Sequence, residues 1–153
     1  LDPRENVGES FNAERLAQAQ TKTWALLFEV AGKIKPGMKE AAALHIYETR
    51  CRELGAKMWH PPQIRFGKNT LMPYAQKGEE VVLQDNDIFF LDFGPVFDGY
   101  EGDAGLAFMV GFDLEVEKTI EASKTVFKAV QKRWRESQET GQALYDYAVQ
   151  FTN

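Results

Sequence analysis

The chain has 153 residues, 44% hydrophobic and 27% charged, a globular composition whose length lets it bury roughly 68–70% of its unfolded surface without a disulfide staple. Eighteen basic against twenty-three acidic residues leave a net charge of −5, so no nucleic-acid partner is expected. The single cysteine, Cys51, excludes an internal disulfide and a thiolate metal cage; no apolar run reaches membrane-spanning length, so no membrane partner is expected and a cytoplasmic address fits.

Residues 1–11 are polar, contain Pro3 and Gly8, and are expected to form a lead-in; because the sequence opens on Leu1 rather than Met, residues upstream are also expected. From about Asn12 to Ala31 the positions Trp24, Leu27, Phe28 and Ala31 recur at helical spacing and predict a first helix, ended by Gly32 and Pro36-Gly37. A second helix is predicted from about Lys39 to Leu54, with Leu44, Tyr47, Cys51 and Leu54 on one side and Gly55 as its stop. Cys51 falls in that stripe and is expected to be a small core residue. The period then changes: Gln63 to Phe66, Val81 to Leu83, Ile88 to Phe93 and Leu106 to Val110 all predict strands. Val116, Ile120, Phe127, Val130 and Trp134 predict a long third helix, whose basic run Lys128–Arg135 is expected to be a solvated face. Gly141 separates a fourth helix carrying Leu144, Ala148 and Phe151. Helices followed by strands followed by helices predict an α+β domain with an antiparallel sheet.

The chemistry concentrates between Phe89 and Gly111. Asp98-Gly99 is a signal for a two-residue type I′ hairpin loop. Such a loop sets Asp103 opposite Gly94, with Asp92 two positions along on the same face, a diagonal of about 7–8 Å at the backbone. One face then carries Phe89, Leu91, Phe93, Leu106, Phe108 and Val110 and should pack under helices. The other carries Asp92, Gly94, Asp103, Gly105 and Ala107, two carboxylates over small residues. Like charges on neighbouring strands repel and resist burial, and a divalent cation compensates them. All-oxygen ligation favours Mn²⁺, with Fe²⁺, Co²⁺ or Zn²⁺ where a histidine joins.

A run of motifs resembles the pita-bread metallopeptidases, the family of methionine aminopeptidases, Xaa-Pro aminopeptidases and prolidases. The match spans about Trp24 to Phe151. It takes in Ile34-Lys35-Pro36-Gly37-Met38, His60-Pro61 with Ile64, Gly67 and Asn69, then Asp92-Phe93-Gly94, Gly99-Tyr100, Gly102-Asp103 and Phe108-Met109-Val110-Gly111. The resemblance implies a pita-bread fold, with residues 1–153 as the N-terminal portion of a single domain that is incomplete at its C-terminus. It implies a metallo-aminopeptidase or dipeptidase-like hydrolase acting on N-terminal or Xaa-Pro peptide bonds, with a peptide substrate. Two divalent metal ions (Mn, Co, Fe or Zn) belong to the complete site, and Asp92 and Asp103 would be the first two of its ligands.

Three departures bear on activity. Pro73-Tyr74 stands where relatives place a substrate-facing histidine, so Tyr74 is expected to bind substrate. Leu106-Ala107 replaces a frequent Arg-Thr. The family's other ligands, one histidine and two glutamates, lie in the second half of the fold, and neither His45 nor His60 matches the ligand histidine. His45 is expected on a partly exposed helix face. His60, between Trp59 and Pro61, is the second candidate substrate-binding residue. The 153 residues alone are therefore expected to be inactive, with the open acidic face covered by a homo-oligomer partner or a C-terminal segment. The alternative is a catalytically inactive pita-bread domain that serves as a peptide- or protein-binding module. A kinase reading of Asp92-Phe93-Gly94 fails for want of the accompanying motifs. Asp85-Asn86-Asp87 lacks the spacing of a calcium loop and is expected to be a turn.

Overall fold

A computed structural model describes residues 10–76 and 78–152; of the expected lead-in 1–11, residues 1–9 lie outside these. The chain divides into two compact units, one ending at Gly111 and one beginning at Phe112. Among the described residues no helix is long and apolar enough to cross a membrane.

The first unit opens with α1 (Ala13–Lys33), started by Asn12, whose side chain accepts from the Arg15 N–H at 2.9 Å. Its buried stripe is Ala19, Thr23, Leu26, Leu27 and Val30. The expected stripe was offset from this one: Phe28 is 55% exposed, and Trp24 and Ala31 only border the core. The aromatic rings sit at the helix margin, where Trp24 stacks on Phe28 at 5.8 Å and Phe28 meets the edge of Phe108. Slimmer side chains fill the face that packs on the sheet. The helix also runs through Gly32 to Lys33, one turn's fraction past its expected end.

Helix α2 (Glu40–Glu53) buries Ala43, Tyr47 and Cys51 and stops at Gly55, whose φ of +68° suits only glycine well. Leu54, expected on the buried side, caps the helix and is 46% exposed. Tyr47 stacks on Phe93 with ring centres 4.0 Å apart, tying α2 to the sheet. Burial pushes the Cys51 thiol up, which keeps it an uncharged core residue, as its place in the stripe implied.

Among the described residues the strands form two antiparallel three-stranded ladders. One joins β2 (Gln63–Phe66), β3 (Asp87–Phe93) and β6 (Ala104–Val110) in the order β2-β3-β6. The other joins β1 (Lys57–Met58), β4 (Pro95–Phe97) and β5 (Tyr100–Glu101) in the order β1-β4-β5. On β3, Phe89, Leu91 and Phe93 are buried, and Leu106, Phe108 and Val110 of β6 pack beside them, the face expected to lie under helices. Val81 to Leu83 does not form the expected strand. Val82 makes one bridge to Lys39, and Leu83 exchanges backbone bonds with Gly37 and Met38. Its partner is the turn before α2, which becomes helix at Glu40 and leaves no strand to pair with. Asp85-Asn86 is a turn, as expected.

The second unit consists of α3 (Leu114–Ser137) and α4 (Gly141–Thr152). Asp113 caps α3 by accepting from the Glu115 and Val116 N–H groups. Arg133 makes two bonds of 2.8 Å to Glu139 and lies 4.4 Å from the centre of the Tyr147 ring, joining α3 to α4. Of the expected stripe Ile120 is buried, whereas Phe127 and Trp134 are exposed.

Candidate metal centre

The turn that sets the site is Asp98-Gly99, with φ of 53° and 86°, both left-handed as a type I′ turn requires. Phe97 pairs with Tyr100 and Val96 with Glu101 across it. The same register continues through Phe93↔Ala104 and Asp92↔Gly105 to Asp87↔Val110. Between the two ladders, the Gly102 N–H donates to the Pro95 carbonyl at 3.1 Å. No residue is inserted or lost, so Asp103 stands opposite Gly94 and shares a face with Asp92.

That face is built for close approach. A Cβ at Gly105 would lie 3.5 Å from Asp92 Oδ1, and one at Gly94 would overlap His60 Nε2 and Glu101 Oε1. Glu101, two residues before Asp103, projects to the same side. Its Oε1 is shut off from solvent, with His60 Nε2 at 2.9 Å in an ion-pair approach rather than an aligned hydrogen bond.

Asp92 is half-buried and Asp103 exposed. Burial first, and the negative charge of Asp103 second, hold the Asp92 carboxyl above the usual carboxylate range; His60 opposes them. The two carboxylates therefore act on one another through space, the condition under which a bound cation relieves repulsion. Among the described residues, no three His, Cys, Asp or Glu side chains gather closely enough to hold a metal ion. Asp92 and Asp103 are the residues of this face that could hold a cation, and Asp103 is open to solvent.

Tyr74 and His60 line one cleft of about 830 Å³ with Trp59, Glu48, Gln63 and Arg65, and the His60 ring reaches from it over Gly94 on the acidic face. The cleft meets the acidic face at two points. His60 touches Glu101, and Gln63 faces Asp92 across the β2–β3 ladder. Arg65 bonds to Gln63 Oε1 at 2.7 Å and donates to the carbonyls of Gln76 and Tyr74, so it ties the Tyr74 segment to that side of β2. His45 is exposed on α2, as expected. Sequence reasoning missed Glu101, although the alternation that paired Asp103 with Asp92 also places Glu101 on their face. It missed Gln63 and Arg65 because the pairing of β2 with β3 has no local turn to reveal it.

The model of metallopeptidase family M24 matches residues 14–153. A methionine aminopeptidase of Archaeoglobus fulgidus is 28% identical over 133 residues, covering 87% of this chain and 46% of that protein. Among solved structures, the X-Pro aminopeptidase of Thermotoga maritima superposes with a TM-score of 0.73 at 22% identity, over 90% of this chain and 39% of that one. The prolidase of Pyrococcus horikoshii superposes with a TM-score of 0.62 at 21% identity, over 76% and 33%. The fold is thus the pita-bread fold, and the chain spans about half the length of the curated relative it matches.

Proposed function

Because the chain belongs to metallopeptidase family M24, we propose that the protein it is part of hydrolyses N-terminal or Xaa-Pro peptide bonds with divalent metal ions, residues 1–153 being the front portion of one catalytic domain. The observation that carries this reading is the placing of Asp92 and Asp103 on one face with Gly94 and Gly105, the Asp92 carboxyl being raised first by burial and then by the charge of Asp103. Asp92 and Asp103 would each hold metal through carboxylate oxygens, a hard donor set suited to Mn, Co, Fe or Zn ions. Bound metal of this kind polarises a scissile carbonyl and makes water acidic enough to attack. Tyr74 and His60 would contact the peptide in the cleft that adjoins the acidic face. A phenol can donate a hydrogen bond but has no cationic form, so Tyr74 cannot supply what an imidazolium would. Weak or altered peptidase activity follows, rather than efficient removal of methionine. Further donors would come from a C-terminal segment or a second copy covering the open face, in a cytoplasmic protein.

A second reading is a binding module that has lost its chemistry, favoured by the want of a third donor among the described residues and by Tyr74. Peptidase assays of the full chain with added Mn²⁺ or Co²⁺, on Met-Ala and Xaa-Pro peptides, separate the two. Slow metal-dependent cleavage supports the enzyme; peptide binding without turnover under any of these ions supports the module. Vigorous cleavage of Met-Ala peptides would show the assignment of Tyr74 to be wrong.

A further inference from the structure

Asp103 sits where the two ladders meet, and it belongs to neither. The β3–β6 ladder ends at Phe93↔Ala104, and the β4–β5 ladder at Val96↔Glu101. In an antiparallel pair, successive residues alternate between bonding the partner strand and facing away from it. Gly102 turns its N–H to the Pro95 carbonyl, so the backbone groups of Asp103 face the opposite, open edge.

There the side chain of Gln20 takes both. Gln20 Oε1 accepts from the Asp103 N–H at 3.0 Å, and Gln20 Nε2 donates to the Asp103 carbonyl at 2.6 Å. One primary amide does what a neighbouring strand would do, from a helix residue far away in sequence. The helix can come this near because residue 102 is glycine: a Cβ there would overlap the Ala19 carbonyl and Thr23 Oγ1. Thr23 is itself fully buried, so α1 is seated firmly behind the clamp.

We infer that Gln20 is a positioning residue for the metal centre, holding the Asp103 backbone at both polar groups so that its carboxylate is aimed beside that of Asp92. The inference rests on Asp103 being a ligand. A ligand on an exposed strand junction would otherwise sample several backbone orientations, and fixing it in advance lowers the ordering cost of binding an ion. Partners that orient metal ligands are commonly worth roughly 10–100-fold in affinity.

The test titrates Co²⁺ into the full-length protein and into four variants, reading affinity by calorimetry and ligand geometry by the visible absorption of bound cobalt. Gln20→Met keeps the volume and removes both bonds; Gln20→Leu is the second variant should the first not fold. Either should weaken Co²⁺ binding by about 10–100-fold and change the absorption band. Asn12→Ala removes the α1 cap without touching Asp103; it should lower the melting temperature and leave Co²⁺ affinity and spectrum unchanged. Asp103→Asn should weaken binding at least as much as loss of Gln20. If Asp103→Asn weakens binding while both Gln20 variants bind normally, the inference is overturned and the ligand assignment stands. Equal losses in Asn12→Ala and Gln20→Met, with one spectrum, would reduce Gln20 to a structural role. Unchanged affinity in Asp103→Asn would remove the ligand assignment and the inference together.

Discussion

His60 Nε2 meets Glu101 Oε1 at 2.9 Å in the space that a side chain at Gly94 would fill. The atoms in the way are the far ends of two flexible side chains, so they can swing aside. Gly94→Ala should therefore break the pair without unfolding the protein. The His60 side chain is 41% exposed, and partly exposed pairs of this kind are worth roughly 0.2–1 kcal/mol. A melting point within about 4 °C of wild type, with a clear change in the His60 ring signals by NMR, is the expected result.

Gly102 gives the opposite outcome for the same substitution. A Cβ there meets the Ala19 carbonyl, a backbone atom inside α1 that cannot step aside. Forced separation of packed elements costs about 1–3 kcal/mol. Gly102→Ala should lower the melting temperature by several degrees, more than Gly94→Ala, and should lengthen the Gln20 contacts to Asp103. Equal thermal shifts for the two glycine variants would contradict the distinction between movable and fixed neighbours.

The contrast between these glycines marks what sequence alone could reach. Asp98-Gly99 fixes a turn through local backbone preference, and everything in register with it follows, including which side Asp92 and Asp103 share. Helix positions were legible for the same reason, from spacing within one segment. What escaped was decided between segments. The α1 stripe lies beside the expected one because the sheet accepts Leu26 and Val30 and leaves Phe28 at the margin. Val81 to Leu83 has strand character but meets only a turn. Gln20 has no local signature at all, since its role depends on where a hairpin far along the chain presents an unpaired backbone.

Asp92 gives the metal-free protein a defined pH dependence. Its carboxyl is held above the ordinary value of 3.8, chiefly by burial and then by Asp103, so the folded state binds this proton more tightly than the unfolded chain. The stabilisation is complete below the unfolded value and is lost as pH rises through the raised folded value. Above that window, ionised Asp92 opposes folding. Asp92→Asn should thus gain stability relative to wild type on going from about pH 4 to about pH 7, measured by urea denaturation with chelator present. On the proposal that Asp92 is a metal ligand, added metal should reverse the order at neutral pH, because the carboxylate would bind it more tightly than the amide. A stability difference that does not vary with pH would mean that Asp92 is not strained by its surroundings.

Arg65 secures the segment that carries Tyr74 by donating to the Gln76 carbonyl at 2.7 Å and the Tyr74 carbonyl at 3.2 Å. Bonds from a charged donor are worth about 1.5–3 kcal/mol. Arg65→Ala should let residues 73–76 open more often while the sheet core stays intact. Limited chymotrypsin digestion should then cut after Tyr74 about tenfold faster, with little change in circular dichroism. Cutting at the wild-type rate would show that the segment is held by other contacts.

Residues 1–153 on their own should not cleave peptides. Two carboxylates can hold one ion loosely, but a two-metal centre needs more ligands to set the spacing of its ions and the path of attack. No group of three candidate ligands forms among the described residues. His60 is turned to Glu101, and His45 is exposed on α2, so neither joins Asp92 and Asp103 as a third donor. β6 is the outer strand of its ladder, and past Asp103, whose backbone groups Gln20 takes, its outer edge is able to pair with another chain. The isolated chain is therefore expected to associate, and to stay inactive with added Mn²⁺ or Co²⁺. Turnover assays run beside light scattering check both expectations on one sample. Metal-dependent cleavage by a verified 153-residue monomer would refute them, because it would require a complete ligand set that the described residues do not bring together.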